Sequence, residues 1–184
     1  MIQAVENVIE IREAEVGKWT VARWYALYTK GRHEKFLDCE LQKRRIETFL
    51  PVRKVTRNWS DRKKIIEEPL FRSYLFVRYP WNRRFEILNT KGAVCFVTSG
   101  LSHEPIEVPE RDLLSVRRFA EQEIPMDPFP YLKAGERVYI KCGPFKGVEG
   151  FVVRKDSHCR LVISLDLLMQ SVSIQVDGAM VEKA

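Results

Sequence analysis

The 184-residue chain carries 31 Lys/Arg against 25 Asp/Glu, a formal charge of +6, and 45% hydrophobic residues. Its length admits one domain or two, and it has neither a secretory signal nor an apolar run long enough to span a bilayer, so no membrane association is expected. Cys39, Cys95, Cys142 and Cys159 show no CxxC spacing and His33, His103 and His158 are dispersed, so the reading is a cytoplasmic protein with free thiols, no metal and no cofactor.

The charge is uneven. Residues 23–64 hold thirteen Lys/Arg against five Asp/Glu, whereas 134–184 hold seven against six. A local excess of that size favours encounter with a polyanion. Residues 1–22 fit no motif and are expected to be an N-terminal extension.

Trp24–Thr29 is the first firm element, a strand with Trp24, Ala26 and Tyr28 on one face and Tyr25 and Leu27 on the other. Gly31 opens a helix to about Arg45 whose apolar stripe is Phe36, Leu37 and Leu41. A strand from about Glu47 to Thr56 leads to a hairpin tip at 58–61, with the return arm starting near Lys63. Tyr74–Tyr79 is a strand with Tyr74 and Phe76 opposite Leu75 and Val77. A short helix over Asn82–Leu88, with Phe85 and Leu88 inward, a strand over Gly92–Thr98, and a helix over Pro109–Ala120 packing Leu113, Leu114 and Val116 complete the block.

The order β-α-β-β-β-α-β-α predicts an α/β sandwich with helices on one face of a mainly antiparallel sheet. Three prolines between Glu121 and Lys133 mark a linker. Beyond it, GERVYIKCGPFKGVEG (135–150) and RLVISLDLLMQSVSIQV (160–176) alternate apolar residues in about five short strands, best accommodated by a small SH3-like β-barrel. Gly143, Pro144, Phe145, Gly147 and Gly150 specify its bends. The fold class is therefore α+β. The domains expected are 1–22, 23–120, the linker 121–133, and 134–184.

The stretches RWYALYTKGRHEKF (23–36), ETFLPV (47–52), WSDRKK (59–64), EPLFRSYLFVRY (68–79), NTKGAVCFV (89–97) and the KOW-like GERVYIKCGPFKGVEGFVV (135–153) resemble, in order, the NusG family of transcription elongation factors, specifically specialised bacterial paralogues of the RfaH and UpxY kind. The resemblance implies a monomeric elongation or antitermination factor. Its first (NGN-like) domain binds the clamp helices of bacterial RNA polymerase and bridges the DNA cleft, modulating pausing or termination. Its KOW domain meets Rho or a ribosomal protein.

On that resemblance Tyr28, Tyr74 and Phe76, with Phe71 at the edge, line an exposed polymerase-docking concavity; the plain alternative is that another part of the chain buries them. Lys30, Lys43, Thr90 and Lys91 are the candidates for contact with non-template or upstream DNA, against an ordinary solvated surface. The specialised paralogue RfaH has a base-contacting histidine where this chain has Glu40, so sequence preference should differ. The basic hairpin, Arg53, Lys54, Arg57, Arg62, Lys63 and Lys64 with Trp59 at its tip, either solubilises a protrusion or approaches DNA or polymerase. Leu167 and Leu168 are the expected second-partner contact, with inward packing as the alternative. The chain shows no pairing of nucleophile with base, no metal signature and no P-loop ending, so it is not read as an enzyme. The competing function is a ribosome-associated or free RNA-binding KOW protein, which the near-neutral 134–184 segment argues against.

Overall fold

Strand β1 (Ala22–Thr29) runs through a four-stranded sheet in the computed structural model, which describes residues 17, 19–58, 62–99, 104–121, 125–131, 135–142, 146–155 and 158–184. The N-terminal extension before Gly17 lies outside the described residues. The strand order is β2 (Glu47–Phe49), β5 (Tyr74–Pro80), β1, β6 (Ala93–Phe96), and every pair is antiparallel. Leu27 faces Leu75 and Phe96 in register, and all three are buried.

Helix α1 (Glu34–Lys43) buries Glu34, Leu37 and Leu41, an i, i+3, i+7 stripe. Burying a leucine of this kind contributes about 1.5–3 kcal/mol. Phe36 was expected in that stripe but is exposed, and Glu34 takes the inward place because its carboxylate accepts the Ser73 backbone N–H at 2.8 Å. The helix ends two residues earlier than the letters suggest. Arg45 adopts a left-handed φ of 61°, its N–H bonds Gln42 O and the Ile46 N–H bonds Leu41 O, a Schellman ending built without glycine.

The single strand expected over 47–56 is two, β2 and β3 (Val52–Asn58), separated at the buried Pro51. β3 pairs with β4 (Lys63–Pro69) as a separate two-stranded hairpin. After β5, a 3₁₀ turn (Trp81–Arg83) precedes the one-turn helix α2 (Phe85–Leu88). The helix starts too late to point Phe85 inward. Ile87 is buried instead, and Phe85 is exposed under the Arg84 guanidinium, 4.4 Å from the ring centroid.

The chain divides into two compact units, one of residues 1–49 and 73–108, the other of 50–72 and 109–184. The second contains the β3–β4 hairpin, helix α3 (Glu110–Glu121) and a six-stranded antiparallel sheet. Its order is β12 (Val181–Lys183), β8 (Glu136–Ile140), β9 (Glu149–Lys155), β10 (His158–Leu165), β11 (Gln170–Val176), β7 (Asp127–Phe129). The sheet's core is Val138, Ile140, Val148, Leu161, Ile163, Val172 and Ile174. β7 falls inside the segment expected as a linker; it pairs with β11 from the sheet edge, where Pro128 is tolerated.

α3 packs against β10 and buries Leu113, Val116 and Phe119, whereas Leu114, expected to pack, lines a cavity of about 290 Å³ with Arg118, Arg137, Phe151 and Ile163. Gly150 is required where β9 meets β10, since a Cβ there would lie 2.6 Å from Val162 O. Among the described residues, no helix is long and apolar enough to cross a membrane.

Candidate functional site

The β1–β5 register places Tyr28 opposite Tyr74 and Ala26 opposite Phe76, while β2 sets Phe49 opposite Phe76 and β6 sets Cys95 opposite Tyr28. These residues share one sheet face. Thr48 lies on the other face and hydrogen-bonds Asp38 of α1, so the helix covers that side. Tyr28 is 41% exposed, and its ring meets the half-buried Tyr74 ring edge-to-face at 5.4 Å. Burial first, then the neighbouring Tyr28 and Cys95, push the Tyr74 phenol above its ordinary range, so it stays a neutral hydroxyl at physiological pH.

Two members of the expected exposed concavity are not exposed. Phe76 is completely buried with Phe49 stacked on it at 6.2 Å, and Phe71, which belongs to the second unit, is also buried. Hiding rings of that size gains far more than leaving them in water. The accessible part of the face is Tyr28 and Cys95, with Tyr74 and Phe49 half-buried.

The turn after β1 and the turn after α2 are tied by their backbones: the Lys30 N–H donates to Gly92 O at 2.9 Å. Gly92 has φ +98°, and His33 packs so closely on it that a Cβ there would lie 3.0 Å from His33 Cβ. Lys30, Lys43 and Lys91 are all exposed. Lys43 Nζ is 2.6 Å from Glu40 Oε1; this bond holds the Glu40 carboxyl below, and the Lys43 ammonium above, their ordinary ranges. The carboxylate at the position of the expected departure is thus matched by a cation of the same helix. Thr90 differs from expectation. It is buried, its Oγ1 accepting from Arg44 at 3.2 Å and donating to Glu86 O at 3.4 Å, so the hydroxyl serves the fold.

Sequence reasoning assigned Phe36 to the core and gave His33 no role. Phe36 is 45% exposed, and His33 meets it edge-to-face at 6.4 Å. His33, Phe36, Glu40 and Lys43 recur at helical spacing along the outer face of α1. Glu34 stands two positions before Phe36 on the helix, so with Glu34 turned inward Phe36 faces outward, and apolar periodicity carries no signal of that choice.

In the hairpin, Arg57 and Arg53 share Glu68, at 2.6 and 3.5 Å, and Arg53 also reaches Asp127 at 3.1 Å. Arg57 above all, then Arg53 and Arg72, keep the Glu68 carboxyl below its ordinary range. Part of the basic run is therefore internally neutralised; Lys54, Arg62, Lys63 and Lys64 lie at the surface. Trp59 lies outside the described residues, as do Gly143, Pro144 and Phe145.

The turn Asp166–Leu168 was expected to present two leucines. Leu168 is instead buried, Leu167 is half-buried, and Met169 stands 64% exposed because its left-handed φ of 51° reverses the chain there. Among the described residues no group of three or more His, Cys, Asp or Glu is placed to hold a metal ion.

Residues 22–117 match the family model described as NusG, transcription termination factor nusG. A transcription termination/antitermination protein NusG of Borreliella burgdorferi is 23% identical over 180 residues, covering 87% of this chain and 97% of that protein. A solved structure of Thermotoga maritima NusG, described as showing domain interaction, aligns with a TM-score of 0.55 at 19% identity, covering 90% of this chain and 98% of the other.

Proposed function

The chain belongs to the NusG family of transcription elongation and termination factors, whose members are non-enzymatic regulators that bind RNA polymerase, and from that premise we propose that it fastens to the polymerase clamp helices through the Tyr28–Tyr74 face. The observation carrying this reading is the edge-to-face tyrosine pair, left partly open on the sheet face that α1 does not cover. An aromatic surface with one apolar side and hydroxyls at its edge suits the apolar stripe of a partner helix.

On the same reading the factor is a specialised paralogue. Residues 23–120 dock on polymerase and bridge the cleft, and preferential binding to the active conformation disfavours paused states. Lys30, Lys43 and Lys91 meet non-template or upstream DNA phosphates, and the exposed lysines of the hairpin add electrostatic approach. Residues 134–184 recruit Rho or a ribosomal protein at the turn carrying Leu167, which Leu168 anchors from within and Met169 extends outward.

Retention of core RNA polymerase by the immobilised full chain tests the docking face. The double variant Tyr28→Ala/Tyr74→Ala should lose retention, and undiminished capture would sink the proposed surface. Transcription through a terminator in vitro then gives the sign of regulation.

A further inference from the structure

Within the second unit, helix α3 and the sheet it packs on leave the cavity of about 290 Å³, whose lining has an apolar part and a charged part. Val138, Val148, Phe151, Ile163 and the 43% exposed Leu114 form the apolar wall. An enclosed apolar cavity of about 150 Å³ suffices for benzene, so the space here suits a body of one or two rings. Gly147 adds no bulk, since even a Cβ there would meet nothing.

The charged part is only partly compensated. Arg111 pairs with Asp112 at 3.6 Å. Arg118 makes one long main-chain contact, donating to Lys146 O at 3.5 Å, and the Arg137 guanidinium lies 5.8 Å from the centroid of the Phe151 ring. Neither has a carboxylate within ion-pair distance among the described residues, although Glu149 and Ala184, the last residue, line the same cavity. Two guanidiniums with spare donors beside an apolar wall match a ligand that carries both kinds of surface.

We propose that this cavity binds a small organic anion: a carboxylate on an apolar body of one or two rings. Arg118 and Arg137 hold the acid group, because the planar guanidinium presents its N–H donors in the fork that a carboxylate accepts. Leu114, Val138 and Ile163 hold the body. Leu114 and Arg118 belong to α3 and the other contacts to the sheet, so a ligand that touches both adds its binding free energy to their packing. The site shares no residue with the Tyr28–Tyr74 face or with Lys30, Lys43 and Lys91, which makes it independent of the polymerase and DNA readings.

The test is a two-dimensional amide NMR titration of the full chain with indole-3-acetate, phenylacetate, indole-3-acetamide and acetate. Each is taken to about 10 mM, since a ligand of about a dozen heavy atoms binds in roughly the millimolar range. Both aryl acetates should give saturable shifts at the amides of Leu114, Arg118, Gly147 and Phe151. Indole-3-acetamide, which lacks the charge, should bind about tenfold more weakly, and Arg118→Gln should weaken indole-3-acetate as much. Glu149→Gln removes an opposing carboxylate and should tighten binding about twofold. Leu114→Trp, which fills the cavity, should abolish it. Absence of saturable shifts with both aryl acetates overturns the proposal, as do shifts confined to other parts of the chain. Equal affinity for indole-3-acetate and its amide removes the arginines from the site, and equal affinity for acetate removes the apolar wall; either result overturns the assigned ligand class. Leu114 and Arg118 are exposed, so variant spectra unchanged away from the cavity separate lost binding from lost fold.

Discussion

Tyr28 stands directly opposite Tyr74 across the β1–β5 ladder, ring centroids 5.4 Å apart at 61°. Two residues further along β5, Phe76 shares their face but is wholly enclosed. Exposure therefore separates surface residues from a core residue on one strip of sheet.

Tyr28→Ala should change folding stability by about 1 kcal/mol or less while reducing polymerase retention at least tenfold. Phe76→Ala should cost about 3–5 kcal/mol, and any loss of binding it shows would follow unfolding. Urea denaturation beside the retention assay checks the split.

Gly150→Ala places a methyl 2.6 Å from Val162 O, a backbone atom that cannot move without breaking the β9–β10 ladder. We expect a loss of about 1–3 kcal/mol. Gly147→Ala meets open space and carries only the strain of φ +85°, about 1–2 kcal/mol. Denaturation midpoints of the two variants give the comparison.

Glu34→Ala removes the acceptor of the Ser73 N–H, whose residue already holds a left-handed φ of 63°. The expected loss is about 1–3 kcal/mol, with faster amide hydrogen exchange at Ser73.

Asp112 lines the cavity beside α3, and burial, the largest cause, pushes its carboxyl above the ordinary value; Arg111 opposes the shift, and Asp166 and Glu149 add to it. The folded state thus holds the proton more tightly than the unfolded one. Its contribution to stability is full below the unfolded value, about 3.9, and declines as pH rises through the folded value. Asp112→Asn should stabilise the protein at pH 7 and have little effect at pH 3, measured by denaturant midpoints at both.

Glu68 neutralises Arg53 and Arg57 within the hairpin. Glu68→Gln frees the Arg57 guanidinium while Asp127 still holds Arg53, so the salt slope for heparin or duplex DNA should steepen by about one. An unchanged slope in anisotropy titrations would remove the hairpin from the polyanion contact.

Strands β1 and β5 were legible because their aromatic and aliphatic residues alternate at the period of a pleated sheet, and the hairpin because a polar turn separates two arms of basic residues. The end of α1 was not, since Arg45 occupies a left-handed position usually marked by glycine. Nor was the exchange of Phe36 for Glu34: apolar periodicity cannot know that a distant Ser73 N–H needs a carboxylate. β7 hid among prolines because an edge strand tolerates them. Thr90 and Leu168 were chosen for chemistry that faces outward, and hydrogen bonding and core packing turned both inward.

The tie between Lys30 N–H and Gly92 O is made entirely of main-chain atoms. Side chains at positions 30, 36 and 91 can therefore be exchanged without disturbing the frame that spaces them, and only Gly92 is fixed. Outward substitutions at these positions leave the joined turns intact at almost no cost in folding, so the surface here is free to diverge faster than the architecture beneath it.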